Sequence, residues 1–537
     1  MNRPPRSLLR CAPRAPGRRR PAALLAGLAL LAPTVASALL APSPARADNP
    51  TVSVNNLRTG WDAAEPNLGP DQVSAADFGR RWSTAIDGGV HAQPLVAGST
   101  VVVATETNHV YGVNAADGRI LWQRALGTPV PSSTDCLSPG TGITSTPVLD
   151  AASGTVYLVS RSNDGGAHFS AHALDLATGA ERGGWPVPVQ GAPVNSPGVP
   201  LNPATSVQRA GLLLLGGAVY FGFASDCGRN PYVGIVGGVD TNTRKVTLWS
   251  TEAGSDSQNG GVWMSGGGLM SDGDGRIFVA TGNGANGGSP PTGPGNAPPA
   301  HLAESVVRLG VNADGSLVAK DFFSPTNNRD MDHADQDLGS GGPAALPDGF
   351  GTSAHPHLLV QVGKDGRIFL LDRDNLGGTG QGQGGTDNVV GMTGPYKGVW
   401  GHPGVWGGDG GYVYLVENNG VLRALKYAVD GSGTPQLTST GTSAEGFGYA
   451  SGSPVVTSNG TASGSALVWT VYSGTGPNGQ NGELRVYDPV PVNGTLSMRR
   501  SFPLGTVSRF SVPATDSGRI FVGTKDGYLV AFGGAGS

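Results

Sequence analysis

The sequence predicts an all-β protein assembled from one repeated four-stranded unit. Glycine and proline, which both disfavour helices, supply 88 and 41 of the 537 residues. The apolar residues fall in short runs separated by glycine-containing turns, a pattern typical of antiparallel hairpins. The order of these runs recurs about every 60 residues over most of the chain. A chain of this length therefore need not divide into several domains, because a closed repeat architecture can absorb it.

Residues 1–47 are predicted to be a signal peptide and not part of the fold. Seven arginines precede an apolar stretch at 22–41, and the small-residue motif Ala45-Arg46-Ala47 follows it as a cleavage site. The alternative is a transmembrane anchor, which is disfavoured because Pro33 interrupts the stretch. We expect a secreted, extracytoplasmic protein; Arg18-Arg19-Arg20 leaves the Sec and twin-arginine routes both open.

The net charge of the chain limits the kinds of partner that it is expected to bind. The predicted signal peptide, here also called the leader, contains eight arginines and no acidic residue. The remaining chain therefore has 27 basic and 39 acidic residues, which gives a net charge of −12. No basic stripe interrupts this excess, which disfavours a nucleic-acid partner. No later apolar run has the roughly 20 residues that a membrane span needs. We therefore expect no membrane span after cleavage.

The last and the first repeats show the strands most clearly. In the last, strands begin near Phe510, at Arg519 and at Tyr528, separated by turns that end in glycine. The first repeat adds a fourth strand, Ile120-Leu-Trp122, after the turn Ala116-Asp-Gly118. Six further repeats begin near Thr146, Leu212, Met264, Ser340, His402 and Ser451. Four short strands per repeat are typical of a β-propeller.

The two ends of the repeat array predict how the ring closes. A strand of the fourth type, Arg80-Arg-Trp82-Ser-Thr84, precedes the first full repeat, whereas the last repeat ends after its third strand at Phe532. Pairing these ends would leave no strand edge open. This favours an eight-bladed propeller of four-stranded antiparallel blades, with seven blades as the alternative. The expected domains are an N-terminal extension at 48–79, the propeller at 80–533 and a short tail at 534–537.

The repeat resembles that of a known family. The segment from Val110 to Trp122, VYGVNAADGRILW, is similar to the repeat of the quinoprotein alcohol dehydrogenase-like propellers, named after pyrroloquinoline quinone (PQQ). The resemblance spans residues 80–533 and implies an eight-bladed ring in which the tryptophan of each fourth strand docks between blades. The matching tryptophans are Trp82, Trp122, Trp185 and Trp249.

The longest loops are expected on one face of the ring. Within a blade, the loop between the second and third strands emerges on the same side as the loop that leads into the next blade. The insertions 226–233, 282–304, 326–339 and 474–482 are all of these two kinds. Since loops on a rigid scaffold often carry function, we expect a small-molecule, polymer or protein ligand there. The alternative is that these loops carry no function and are long because insertions are tolerated at such positions.

Two cysteines remain after the leader, and both belong to that face. Cys136 lies in the loop that enters the second repeat, and Cys227 lies in a loop of the third. In an exported protein they predict a disulfide, and two unpaired thiols are the alternative.

An acidic loop is the candidate metal site. Four aspartates, Asp330, Asp332, Asp335 and Asp337, fall within eight residues and offer the oxygen ligands that Ca²⁺ prefers. The spacing does not fit an EF-hand loop. A solvated loop, in which the aspartates cap turns, is the alternative.

The first strand of each repeat should line the central channel. Small or polar residues open most of these strands, and they predict a polar ligand site at the channel mouth: Gln93, Ser145, Ser265, Ser340, His402, Ser453 and Ser511. Crowding of the inner strands explains the small residues equally well. His91 and His402 are the histidines best placed to act as general bases, although the sequence near each contains no carboxylate to pair with it.

The predicted function follows from these features. We expect a binding or scaffolding module whose long-loop face meets its ligand, because no residue matches the family's calcium-binding and catalytic positions. The alternative is a PQQ- and Ca²⁺-dependent dehydrogenase of alcohols or polymeric alcohols. The resemblance implies PQQ and Ca²⁺ as cofactors in that case, but this chain lacks the adjacent cysteines that form the family's vicinal disulfide.

Overall fold

The computed structural model describes residues 49–131, 140–254, 258–285, 295–449, 451–474 and 478–537. The predicted leader and Cys136 lie outside these ranges. The regular secondary structure of the described residues is almost entirely β-strand, with two short helices, α1 (Pro70–Ser74) and α2 (Asn328–Ala334). Neither has the length that a bilayer crossing requires. Single 3₁₀ turns occur at Pro66–Leu68, Leu338–Ser340, Gln383–Gly385 and Gly408–Gly410.

The first half of the ring contains four antiparallel blades of four strands each. Two strands precede them, β1 (Trp61–Asp62) and β2 (Gly79–Ala85). Blade 1 comprises β3 (Leu95–Ala97), β4 (Thr100–Ala104), β5 (His109–Asn114) and β6 (Ile120–Ala125). A small hairpin of β7 (Val130–Pro131) and β8 (Gly140–Thr141) follows. Blade 2 comprises β9 (Val148–Asp150), β10 (Thr155–Ser162), β11 (His168–Asp175) and β12 (Val187–Val189). Blade 3 comprises β13 (Ser206–Leu215), β14 (Ala218–Ser225), β15 (Ile235–Asp240) and β16 (Val246–Ser250). Blade 4 comprises β17 (Met270–Gly273), β18 (Arg276–Ala280), β19 (Val306–Val311) and β20 (Leu317–Phe323).

The second half of the ring has the same arrangement of four-stranded antiparallel blades. Blade 5 comprises β21 (Ala344–Ala345), β22 (Leu358–Val362), β23 (Ile368–Asp372) and β24 (Gly391–Thr393). Blade 6 comprises β25 (Gly404–Trp406), β26 (Tyr412–Val416), β27 (Val421–Val429) and β28 (Pro435–Gly446). Blade 7 comprises β29 (Val455–Thr457), β30 (Leu467–Tyr472), β31 (Gly482–Tyr487) and β33 (Met498–Gly505), with β32 (Thr495–Leu496) pairing back onto β28. Blade 8 comprises β34 (Ala514–Asp516), β35 (Arg519–Gly523) and β36 (Tyr528–Gly533).

The ring closes where the sequence predicts. Strand β2 pairs antiparallel with β36, in a register that places Trp82 opposite Ala531, and so supplies the fourth strand of blade 8. The prediction of eight blades is confirmed.

Neighbouring blades pack through their apolar faces. Between blades 8 and 1, for example, Val101 and Val103 of β4 share one buried cluster with Phe521 of β35 and Leu529 of β36. Burial of such faces between successive sheets supplies the main stabilisation of a stacked β architecture.

Two of the predicted docking tryptophans donate hydrogen bonds to the next blade. Trp82 Nε1 donates to the carbonyl oxygen of Ala115 at 3.2 Å, and Trp122 Nε1 donates to that of Leu176 at 2.9 Å. Trp185 lies 4.9 Å from the guanidinium of Arg244, in the outer turn of blade 3.

Trp249 contacts the following blade through apolar packing instead. It is buried in a cluster with Ile277 and Val279 of blade 4. The four tryptophans thus bridge successive blades by three kinds of contact: hydrogen bonds, a cation–π contact and apolar packing.

A segment that the sequence analysis set apart from the propeller contacts every blade. Residues 49–62, here called the N-terminal strap, follow the inner strands around the whole ring. At least one hydrogen bond of 2.6 to 3.1 Å joins the strap to each inner strand in turn: Asn49 to Val96, Pro50 to Leu149, Thr51 to Leu212, Asn56 to Ser271, Leu57 to Ala345, Thr59 to Val405, Gly60 to Val456 and Asp62 to Thr515. In most of them an inner-strand N–H donates to a strap carbonyl, so the strap satisfies backbone groups at the centre of the ring.

Candidate functional site

A pocket of about 450 Å³ lies at the mouth of the central channel and is called the axial pocket here. Much of its wall consists of residues in the segments that lead into the inner strands of different blades. His91 precedes β3, Trp263 precedes β17, Trp400 precedes β25, Tyr449 precedes β29 and Phe510 precedes β34. The pocket therefore belongs to the ring as a whole.

The long loops line the same pocket. Cys227 and Tyr232 come from the loop between β14 and β15, and Asn283 comes from the loop between β18 and β19. Asp335 and Asp337 come from the segment that enters blade 5. Loops of both predicted kinds thus meet at one site, whereas the predicted disulfide stays a prediction because Cys136 lies outside the described residues.

The seven residues predicted to ring the channel mouth form a closed layer. All are at most 7% exposed, and only Ser265 and Ser340 line the axial pocket. Ser453 Oγ accepts a hydrogen bond from the backbone N–H of His402 at 2.8 Å and donates across the channel to the carbonyl oxygen of Gly266 at 3.1 Å.

The other residues of this layer also bond within the protein. Gln93 accepts from the backbone N–H of Ser53 in the strap at 2.8 Å. Ser145 donates to Gln208, and Ser511 donates to the carbonyl oxygen of Ser508. Packing of inner strands thus accounts for most of the predicted ring.

The acidic loop is organised around a lysine and not around a shared cation position. Lys364 Nζ lies 3.1 Å from Asp335 and 2.5 Å from Asp337. Asp332 accepts from the backbone N–H of Gly284 at 2.8 Å, and Asp330 is exposed on α2. Within the described ranges, no group of three or more His, Cys, Asp or Glu side chains could hold a metal ion. The four aspartates therefore do not form the predicted metal site, because Asp330 and Asp332 lie on α2, whereas Asp335 and Asp337 follow it and pair with Lys364.

The wall around this ion pair is rich in buried oxygen atoms. Asp337 accepts from the backbone N–H of Asn283 at 2.9 Å, and Glu304 Oε2 accepts from that of Leu338 at 2.6 Å. Within the described residues, Oδ1 of Asn283, Oδ1 of Asn259 and Oε1 of Glu304 are buried without a hydrogen-bond partner. Burial, followed by the charge of Asp337, raises the pKa of Glu304 well above its ordinary value. Buried acceptors of this kind are ordinarily satisfied by an ordered water molecule, an ion or a ligand.

The wall formed by blades 8, 1 and 3 is basic. Arg209 donates to the carbonyl oxygen of Arg509 at 3.0 Å, and burial lowers the pKa of Arg209 to about 10. Burial and the charge of Arg209 also lower the pKa of His91 well below its ordinary value, so His91 is neutral, and its buried Nδ1 has no partner within the described chain. The axial pocket therefore has an acidic, amide-rich side and a basic side.

His402 is not part of this pocket. Burial lowers its pKa to about 3, and its Nε2 lies 3.4 Å from the carbonyl oxygen of Pro343. Of the two histidines considered for general-base work, only His91 faces the pocket.

Several pocket residues were not identified from the sequence. Arg209 belongs to blade 3, Trp263 and Asn283 belong to blade 4, and Lys364 belongs to blade 5. Arg209 and Lys364 are 155 positions apart and line the same pocket only after the ring closes. Their common signal is position in the repeat, because most pocket residues come just before an inner strand or just after a second strand.

Comparisons with known proteins agree with the fold. A family profile described as outer membrane protein assembly factor BamB matches residues 69–267. No curated protein matches the sequence.

Several solved structures are similar to this chain. Quinohemoprotein alcohol dehydrogenase from Comamonas testosteroni has a TM-score of 0.58 and 16% identity, over 90% of this chain and 80% of that one. The enzyme ADHIIG from Pseudomonas putida HK5 has a TM-score of 0.62 and 13% identity, over 91% and 80%. A europium-containing methanol dehydrogenase has a TM-score of 0.60 and 14% identity, over 92% and 98%.

The fold and the repeats define the class of protein. At these identities the structural similarity establishes the fold alone. The chain is an eight-bladed β-propeller, and its repeats resemble those of the PQQ-type propellers.

Proposed function

We propose that this protein is a quinoprotein dehydrogenase that holds PQQ in the axial pocket and oxidises alcohols or polymeric alcohols. The observation that carries the proposal is the Asp337–Lys364 ion pair, 2.5 Å apart, at the edge of an axial pocket that also contains Trp263. The similar folds of two quinohemoprotein alcohol dehydrogenases and a methanol dehydrogenase support it.

The residues present suit a planar aromatic tricarboxylate. Arg209 and Arg509 offer guanidinium groups to carboxylates, and Trp263 offers an aromatic face. The unpaired Oδ1 of Asn283 is an amide oxygen of the type that Ca²⁺ and related hard cations accept as a ligand. Asn283 would therefore be the first residue to contact a cation bound beside the quinone.

The pocket's own residues suit proton removal from an alcohol. PQQ, when bound, supplies a two-electron acceptor. Burial raises the pKa of Asp337, an effect that Lys364 opposes, so this carboxylate is a stronger base than an exposed aspartate. Burial lowers the pKa of Lys364, but the neighbouring aspartates raise it more, so the ammonium remains charged. Asp337 would accept the hydroxyl proton, while Lys364 would donate hydrogen bonds to an oxygen atom in the pocket.

The test is a titration of the purified protein with PQQ in the presence of Ca²⁺. We expect saturable quinone absorbance, a rise in melting temperature and reduction of an electron-accepting dye when alcohols are added. Asp337→Asn should abolish turnover while the fold is retained. Absence of quinone binding in the presence of Ca²⁺ or a lanthanide would rule the proposal out.

A second candidate is a binding or scaffolding module that uses the same face without chemistry. It is favoured by the position of Lys364, whose ammonium lies between Asp335 and Asp337 where a metal ion would otherwise bind. Saturable ligand binding with no dye reduction under any condition would support this candidate over the dehydrogenase.

A further inference from the structure

Three aromatic side chains form a continuous arc along one wall of the axial pocket. They are Trp400, Tyr449 and Phe510, from the segments that lead into blades 6, 7 and 8. The ring centroids of Trp400 and Tyr449 are 5.8 Å apart, and those of Tyr449 and Phe510 are 6.2 Å apart. The successive interplanar angles of 64° and 61° make the wall curved.

The backbone of Phe510, at one end of this arc, has an unfavourable conformation. Phe510 has a φ of +63°, in the left-handed region that bulky residues rarely adopt. Such a conformation persists only where the surrounding structure imposes it, and it is enriched at ligand sites. Trp400 and Tyr449 remain half-buried, with Lys364 Nζ 5.8 Å from the Trp400 ring centroid and the Arg509 guanidinium 5.5 Å from that of Tyr449. A ligand packed on the exposed part of either ring would therefore also meet a cationic donor.

The arc faces the proposed cofactor residues. In an eight-membered ring blade 8 lies opposite blade 4, which supplies Trp263 and Asn283. The hydrogen bond from Ser453 of blade 7 to Gly266 of blade 4 shows that these sectors meet across the axis. A molecule on the arc would therefore face the Asp337–Lys364 side of the pocket.

We infer that the Trp400–Tyr449–Phe510 arc binds the ring of a carbohydrate, which makes a sugar hydroxyl the group oxidised; this inference rests on the proposed function. A pyranose ring presents C–H groups on its faces and hydroxyls at its edge. The faces pack on aromatic rings, and the edge hydroxyls can bind the carboxylate and amide oxygens of Asp335 and Asn283. A short aliphatic alcohol would leave most of this aromatic wall uncovered. The curvature of the arc suits one ring, either a free sugar or the end of a chain.

Binding of neutral sugars to the purified protein tests the inference. Glucose, galactose and mannose, and their 1,4- or 1,6-linked oligomers, are titrated by calorimetry and by tryptophan fluorescence. Trp400→Leu and Tyr449→Leu should weaken sugar binding at least about tenfold. Tyr528→Leu is the matched control, because Tyr528 is an aromatic residue 42% exposed on β36 of blade 8 and outside the pocket, and it should bind as wild type. Melting curves identify any variant that fails to fold, and the remaining leucine variant then decides.

The results separate this inference from the proposed function. Tighter binding of oligomers than of free sugars would identify a chain end as the ligand, and equal binding would identify a free sugar. Sugar binding that depends on the arc, without any PQQ binding, would remove the dehydrogenase but keep the carbohydrate site. PQQ binding with no affinity for any sugar, or sugar affinity unchanged in both leucine variants, would overturn the inference.

Discussion

The guanidinium of Arg58 donates to the carbonyl oxygen of Leu269 at 2.8 Å, in the segment that leads into blade 4. Its other nitrogens bind the carbonyl oxygens of Leu212 in blade 3 and of Val52 in the strap itself. The side chain is fully buried, and this burial lowers its pKa to about 9. Arg58 thus folds the strap back on itself and fixes it to two blades through neutral oxygen acceptors.

The first prediction concerns this residue. Arg58→Met should lower the free energy of unfolding by about 3 kcal/mol, because several buried carbonyl groups lose their donor at once. Urea denaturation followed by tryptophan fluorescence measures the change. Arg124→Met, at an exposed position of β6, is the control and should shift stability by less than about 0.5 kcal/mol. Equal stability of the two variants would contradict a structural role for the strap.

The second prediction concerns the docking tryptophans. Gly179 has a φ of +68°, and a Cβ there would overlap the ring of Trp122. Gly216 has a similar φ of +59°, but a Cβ there would meet open space. Gly179→Ala should therefore destabilise the protein by about 1–3 kcal/mol more than Gly216→Ala, which reports the backbone strain alone. Thermal denaturation of the two variants compares them directly, and equal losses would show that the tryptophan does not constrain this turn.

The outline of the fold was predictable because it rests on local patterns. Turns such as Ala116-Asp-Gly118 and the alternating apolar runs mark the strands, and the unpaired strand at Trp82 indicates how the ring closes. The strap was not predictable by the same means. The hydrogen bonds of the strap join residues such as Asn49 and Thr515, which are 466 positions apart. The sequence of a short polar segment does not indicate partners so far away along the chain.

Some features of the candidate site were likewise predictable from the sequence, and others were not. Repeat spacing placed the long loops on one face, and these loops do line the axial pocket. The sequence suggested a metal at the aspartates because it could not show that Lys364, which follows β22, would reach Asp335 and Asp337. Likewise, the small residues of the predicted ring reflect contacts between inner strands, such as that of Ser453 with Gly266, which depend on closure of the ring.

The third prediction concerns Lys364. Lys364→Gln removes the charge that faces Asp335 and Asp337, so two carboxylates would then repel an anionic quinone. PQQ affinity should fall at least about tenfold, as measured by quinone absorbance during titration. Lys320→Gln, at an exposed position on β20, is the control and should bind PQQ as wild type. Unchanged affinity in Lys364→Gln would place the quinone elsewhere.

The fourth prediction concerns stability between pH 6.5 and 8.5. Burial raises the pKa of Glu65 and of Glu106 to about 7, and that of Glu252 to about 8. In the unfolded chain these carboxyls titrate near 4.3, so in this range the folded state binds more protons than the unfolded state. The free energy of unfolding should therefore decrease as the pH rises. The buried His91 and His402 oppose this trend only near pH 6.5, where about half of each is protonated in the unfolded chain. Their contribution falls away by about pH 7.5, so the decrease should be clearest above that pH.

Glu252→Gln isolates one contribution to that slope. Glu252 accepts from the backbone N–H of Leu302 at 3.0 Å and lies 2.7 Å from His301 Nδ1, and a glutamine amide can retain a hydrogen bond at this position without titrating. Relative to wild type, the variant should gain stability steadily between pH 6.5 and 8.5, by at most about 1.4 kcal/mol per pH unit. Urea denaturation at several pH values measures the difference. A difference that stays constant with pH would mean that Glu252 is already ionised in the folded protein at pH 6.5, and that its hydrogen bonds compensate for its burial.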